Sequence, residues 1–214
     1  MKELVSVHKV CQQRLELLPE KAIFWEERQT LIIGDLHFGK AGHFRKSGIP
    51  VPEMIHSKDF VILEKLLKQK QPIRVIFLGD LFHSDYNQSW ESFRIWIKTH
   101  EDIHFQLILG NHDILSQELY RVPNMEVLDV LEDGPFYFTH IPEQSEAFNI
   151  AGHLHPAIRL RGKGRQSIKV PCFYFNSRQC IIPAFGSFTG TSALKVEAQD
   201  HVYAIAEKQV IKVS

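Results

Sequence analysis

The sequence predicts one α/β domain, α+β-like in its layout, built on more than one sheet and running from 1 to 214. Three observations predict it. Strand-like and helix-like stretches alternate through the first two thirds of the chain. From Ala157 onward only short strands and turn residues follow. No repeat, linker or change of composition divides the 214 residues, a length that suits one domain.

Taken in order, Arg14–Leu18, Ala22–Trp25 and Thr30–Ile33 are short β-prone runs separated by Pro19 and charged residues, which predicts an antiparallel meander. Met54–Lys70 reads as a helix, because Phe60, Leu63 and Leu67 recur at helical spacing and Pro72 stops it. Arg74–Leu78 is short, apolar and β-rich, the pattern of a strand buried on both faces. Gln88–Thr99 is a second helix with Trp90, Phe93 and Ile97 on one face, read as core packing. His104–Leu109, Met125–Val130, Pro135–Thr139 and Asn149–Ala151 are further strands. The tail adds Ile168–Phe175, Gln179–Ile182, Lys195–Val196 and Val202–Val213.

Composition excludes several classes. At 44% hydrophobic and 23% charged residues, the chain is neither disordered nor of low complexity. Its 25 basic and 25 acidic residues balance, so no global field points to a nucleic acid or a membrane. Cys11, Cys172 and Cys180 form no C-x-x-C pair, which argues against a disulfide scaffold or a thiolate zinc site. The N-terminus mixes charge into every turn and has no apolar core, unlike a signal peptide. No window approaches the ~20 apolar residues of a membrane span, so the expected location is the cytoplasm.

Histidine is in excess, with 12 against 5 Tyr and 3 Met, and half of it falls at strand ends. Gly34-Asp35-Leu36-His37 follows the Thr30–Ile33 strand, and Gly79-Asp80-Leu81-Phe82-His83 follows Arg74–Leu78. Gly110-Asn111-His112-Asp113 follows His104–Leu109, His140 follows Pro135–Thr139, and Gly152-His153-Leu154-His155 follows Asn149–Ala151. Ligands of open α/β sheets bind beyond the carboxyl ends of the strands, so these five loops can share one crevice. Carboxylate, amide oxygen and imidazole suit manganese, iron or zinc. One ion takes about four protein ligands and at least seven candidates are present, which argues for two ions sharing a carboxylate. Two cations roughly 3.5–4 Å apart can clamp a phosphoryl group and stabilise both attacking and leaving oxygens. No G-x-S-x-G elbow and no G-x-x-x-x-G-K-[ST] loop competes.

In this order the five motifs resemble the calcineurin-like metallophosphoesterase superfamily, from Asp35 to His155. That resemblance implies a four-layer sandwich of two mixed β-sheets flanked by helices, with two divalent ions, Mn²⁺ or else Fe or Zn, at the strand ends. It implies that Asp35, His37 and His155 hold one ion, that Asn111, His140 and His153 hold the other, and that Asp80 bridges them. His112 is then the histidine that contacts the scissile phosphate and the leaving oxygen, oriented by Asp113 through its second ring nitrogen.

His83, three residues past Asp80, resembles the nuclease branch of Mre11-type DNA exo/endonucleases. A narrower likeness is to the bacterial and archaeal ligase-associated metallophosphoesterases. It is carried by the run from Gly34 to Ala41, by Phe44-Arg45, by Gly48–Pro52, by Leu78–Ser84 and by Pro183–Gly190. It implies a small phosphodiesterase active in DNA repair on DNA, single-stranded by expectation, in functional association with a DNA ligase and a helicase. At 214 residues no separate DNA-capping domain of the Mre11 type is expected, nor the duplex-end recognition that goes with it.

Arg159, Arg161, Lys163, Arg165 and Lys169 lie close after His155 without an acidic neighbour, and Lys40, Arg45 and Lys46 follow the first motif. Lys40, Arg45, Arg161 and Arg165 are the candidate substrate contacts. A solvated hairpin explains Arg161–Arg165 equally well. Two other functions fit the chain: a phosphoesterase for a nucleotide, cyclic nucleotide or pyrophosphate, and a non-catalytic metal-binding interaction protein. The former is favoured by neutral charge; the latter would be expected to have lost ligands.

Overall fold

The computed structural model describes residues 5–38, 54–116, 118–162, 166–187 and 189–214, with the side chains of the first helix from Lys58 onward. Seven strands form the first sheet in chain order: β1 (Ser6–Val10), β2 (Gln13–Leu17), β3 (Ala22–Trp25), β4 (Thr30–Ile33), β5 (Arg74–Leu78), β6 (His104–Ile108) and β7 (Met125–Leu128). The first four run antiparallel, and β4 to β7 are parallel. Helix α1 (Met54–Lys70) crosses over between β4 and β5, and α2 (Gln88–Lys98) between β5 and β6. The second sheet holds β8 (Leu131–Asp133), β9 (Phe136–Thr139), β10 (Phe148–Ala151), β11 (Pro156–Arg161), β12 (Ser167–Phe175), β13 (Gln179–Ile181), β14 (Ser192–Ala193), β15 (His201–Ala206) and β16 (Gln209–Lys212). It is also mixed, with β9, β10 and β13 parallel and β11, β12 and β15 antiparallel.

The continuous apolar runs of β4, β5 and β6 have two faces to cover, and the side chains alternate accordingly. Ile32, Ile76, Leu78 and Ile108 turn towards the second sheet, where they meet Phe136, Phe138, Ile150 and Ile182. Leu31, Ile33, Val75, Phe77 and Phe105 turn outward under the helices. From above them α1 brings Leu63, Leu66 and Leu67, and α2 brings Trp90, Phe93 and Ile97. Asn87 caps α2, its side-chain oxygen accepting the Ser89 amide at 2.8 Å. The α1 helix ends on Lys68 and Lys70, cations suited to its negative end, before Pro72.

Two mixed sheets packed face to face, with helices on the sandwich, are the expected fold and the observed one. Both described helices cover the first sheet. Among the described residues no helix lies on the outer face of the second, where Leu154, Ile158 and Leu194 pack on Cys172, Tyr174, Ile181 and Val202. None of the described helices is long and apolar enough to cross a membrane.

Strand boundaries differ in places. β1 and β11 are strands that apolar runs do not signal: β1 is only half-buried, with Val7 and Lys9 exposed, and β11 exposes Arg159 and Arg161 on alternate positions. Lys195–Val196 is not a strand; Ser192–Ala193 pairs with β11 instead. Val202–Val213 is a hairpin that turns at Glu207 and Lys208, both at positive φ. Met125–Val130 stops at Leu128, and β8 then joins the other sheet.

Candidate metal centre

The ends of β4, β5, β6, β9 and β10 meet at one edge of the sandwich and carry the five polar motifs there. Asp35, His37 and His155 form one cluster, and Asp80, His140 and His153 a second. In each, one ligand atom per residue lies within 4.8 Å of the others. Asp80 stands between them: its Oδ1 is 3.4 Å from His140 Nε2, and its Oδ2 is 3.8 Å from His37 Nε2. Asn111 joins the second cluster, with Oδ1 3.0 Å from His140 Nε2. The structure thus brings all seven residues together.

Backbone geometry at the site is costly. Asp35, His37, Asp80, His153 and His155 all have φ between 46° and 65°, a region that L-residues visit rarely. Such strain persists only where the surroundings fix it, and it gathers at functional sites. Two glycines allow the strand ends to close up. A Cβ on Gly110 would lie 2.4 Å from Asp80 Oδ1, and one on Gly152 2.5 Å from Asp35 Oδ2.

Hydrogen bonds then aim the side chains. The His153 amide donates to both oxygens of Asp35, at 3.2 and 3.0 Å, and the His112 amide to Asp80 Oδ1 at 2.9 Å. His140 Nδ1 lies 2.8 Å from the Leu78 carbonyl, which can only accept, so its proton is on Nδ1 and Nε2 offers a lone pair. That lone pair faces Asn111 Oδ1, and His153 Nδ1 lies 3.1 Å away. Asn111 Oδ1 and the His140 Nε2 lone pair are both acceptors, and a cation between them would satisfy both. His155 Nε2 is buried without a hydrogen-bond partner, 3.2 Å from Asp35 Oδ1. Both clusters therefore fit divalent ions in donor type and in direction. Burial, and then the neighbouring His140, lower the pKa of His153, keeping it neutral as a ligand must be.

The two remaining histidines stand beside the clusters. The His83 and His112 rings stack at 3.8 Å, and His83 Nδ1 is 3.4 Å from His37 Nδ1. Asp113 does not orient His112 as expected. Its Oδ1 accepts the Phe82 amide at 3.0 Å and its Oδ2 the Gly110 amide at 2.9 Å. Its carboxylate thus braces the β5 and β6 loops, and burial raises its pKa to about 6. Arg161 is exposed at the end of β11; Lys40, Arg45 and Arg165 lie outside the described residues.

Two supporting groups escaped sequence reasoning. The Leu78 carbonyl leaves no signal in the sequence. Asp59, an ordinary polar residue in the pattern of α1, is buried and accepts from the Ser187 amide and hydroxyl. That contact holds the Pro183–Ser187 segment, whose Phe185 and Gly186 amides donate to the Gly34 and Asp35 carbonyls.

Comparisons agree with this geometry. The family model of calcineurin-like phosphoesterase matches residues 29–174. Among solved structures, the nuclease MPE of Pseudomonas putida is 27% identical with a TM-score of 0.83, over 98% of this chain and 100% of that one. A protein of unknown function from Aquifex aeolicus is 18% identical with a TM-score of 0.42, over 86% of this chain and 94% of that one. No curated protein matches the sequence. A match over residues 29–174, on a fold whose strand ends converge in two metal-ready clusters, places this chain in the calcineurin-like phosphoesterase family, as a metal-dependent phosphoesterase.

Proposed function

We propose that the chain is a two-metal phosphodiesterase that cleaves DNA, with a role in DNA repair. The observation that carries the substrate class is the likeness, along 98% of the chain, to a protein described as a nuclease. Asp35, His37 and His155 hold one ion; Asn111, His140 and His153 hold the other, and Asp80 lies between. Their mixture of oxygen and nitrogen donors suits Mn²⁺, with Fe or Zn as alternatives. Two such ions supply Lewis acidity, polarising the phosphate and bringing the pKa of water towards neutrality.

The protein's own groups do the rest. His112 and His83 stack as a pair beside both clusters, and neither is needed as a ligand. A histidine so placed donates a proton or a hydrogen bond to the departing sugar oxygen. Arg159, Arg161 and Lys169 are exposed on β11 and β12, which follow His155, and offer cations to a phosphate backbone. One core joins the two sheets, in keeping with a single domain from 1 to 214.

Incubation with circular single-stranded DNA and Mn²⁺ tests the reading, with bis-p-nitrophenyl phosphate run in parallel. A linearised circle is the expected result. Hydrolysis of the small diester with the circle left intact would exclude an endonuclease and favour a small phosphodiester substrate, to which the neutral charge balance is suited.

A further inference from the structure

The Gly34–His37 loop supplies Asp35 and His37, two of the three residues of the first cluster, and it is gripped from both sides. On one side the Asp35 amide donates to the Gly79 carbonyl at 3.2 Å and the His37 amide to the Asp80 carbonyl at 2.8 Å. On the other, the Gly34 and Asp35 carbonyls accept from the Phe185 and Gly186 amides at 2.8 and 3.2 Å. Gly186 lies so close to the loop that a Cβ there would stand 2.5 Å from the Leu36 carbonyl oxygen. Asp35 and His37 have φ of 53° and 51°, a conformation that persists only where neighbours impose it.

The Pro183–Ser187 strap is in turn fastened to other elements. Asp59, on α1 and 3% exposed, accepts from the Ser187 amide at 3.2 Å to each oxygen and from its hydroxyl at 2.5 Å. A buried carboxylate is stable only when hydrogen-bonded, so the strap satisfies Asp59 while Asp59 holds the strap. Lys21, in the β2–β3 turn, adds a second hold, its ammonium 3.5 Å from the Gly186 carbonyl. Burial lowers the Lys21 pKa, and the charge of Asp59 opposes that fall. We propose that Asp59 is a positioning residue for the first ion: through Ser187 and Gly186 it fixes the Asp35–Leu36 peptide, and with it the direction of the Asp35 and His37 side chains. The proposal rests on the ligand assignment above. The second ion's own ligands, Asn111, His140 and His153, stand on other loops. They meet the Gly34–His37 loop through Asp80 and through the His153 amide on Asp35, so the second ion should respond less.

Stripping the Mn²⁺-loaded chain with graded chelator, read by the electron paramagnetic resonance of released Mn²⁺, gives the affinity of each ion. His37→Ala and His140→Ala mark which ion belongs to which cluster. Groups that orient metal ligands are typically worth roughly 10–100-fold in affinity, and Asp59→Ala should weaken the first ion by that much. The second should shift by less than about a third of that factor. Ser187→Ala, at an exposed position where folding is not at stake, should weaken the same ion by a smaller factor, and Ser187→Thr, which keeps the hydroxyl, should restore it. Diester hydrolysis by Asp59→Ala should need more Mn²⁺ for half its maximum yet approach the native kcat when Mn²⁺ saturates. Equal weakening of both ions, or native chelator curves in Asp59→Ala and Ser187→Ala, would overturn the proposal. A lowered melting transition with native chelator curves would do the same, since the contact would then serve the fold alone. If His37→Ala kept both ions, the ligand assignment itself would fall. If His37→Ala lost one ion while Asp59→Ala and Ser187→Ala kept native affinities, the assignment would stand and only the role of Asp59 would be rejected.

Discussion

Asp80 is the residue on which most depends. It alone presents one oxygen to each cluster, and it is 2% exposed, so it faces charge with little water to screen it. Asp80→Asn removes that charge but preserves shape. Metal analysis of the purified variant should find fewer than two ions per chain, with diester hydrolysis lost and the far-ultraviolet circular dichroism unchanged. A variant that kept two ions and normal turnover would remove Asp80 from the bridge. His83 and His112 should behave in the opposite way. Their alanine variants should keep both ions and lose roughly 10²–10⁴-fold in turnover, the usual worth of acid or electrostatic help. The loss at His112 should shrink with nitrophenolate, which leaves without a proton. Metal-free variants would make either residue a ligand. All nine side chains of this neighbourhood could be named from strand-end motifs, because Asp, Asn and His together after a buried strand have little packing use. The role of Asp113 could not. Sequence adjacency suggests a bond to His112, whereas the loop geometry turns its carboxylate onto the Phe82 and Gly110 amides.

At the scale of elements, the β11–β12 hairpin carries a conflict. Arg159 and Lys169 sit directly opposite each other, and like charges in that relation destabilise a strand pair. Selection for stability alone would not place them so; attraction for a polyanion would. Replacing Arg159, Arg161 and Lys169 together by Gln should therefore leave stability within roughly 0.5 kcal/mol of the native value, or raise it. The same triple change should flatten the log–log dependence of single-stranded DNA binding on salt by about 0.7 per lost phosphate contact, or about 2 in all. Binding titrations at three salt concentrations read the slope, and an unchanged slope would make the hairpin merely solvated. The α1 and α2 helices were legible because their apolar periods are strong and their ends are marked by Asn87 and Pro72. β1 was not, since Val7 and Lys9 face outward and its stability comes from pairing with β2.

The whole molecule is a sandwich whose packing of sheet on sheet is implied by the resemblance, while the residues that make the seam are not legible from periodicity. Periodicity reports that a strand has a buried face and says nothing of the partner that buries it. His8 illustrates the point. In the sequence it is one polar residue in a stretch that signals no element. In the fold it joins the two sheets, stacking on Phe175 at 3.9 Å with Nδ1 3.0 Å from the Tyr203 hydroxyl. Burial lowers its pKa to about 4 from an ordinary 6.5, assisted by the positive charges of His201 and Lys212. In the unfolded chain the same imidazole takes up its proton near pH 6.5, so between pH 6.5 and 4 the unfolded state binds more protons. The contribution of His8 is accordingly complete above pH 6.5 and is lost as pH falls towards 4. With a half-buried ring the loss is discounted to roughly 1–2 kcal/mol. Urea unfolding of the native chain and of His8→Phe, at several pH values from 7.5 to 4.5, isolates this term, because the other titrating groups are common to both. The native chain should lose about 1–2 kcal/mol more than the variant over that range. Parallel curves would mean that His8 charges as freely in the sandwich as in the unfolded chain, and that the seam between the sheets is open to water there.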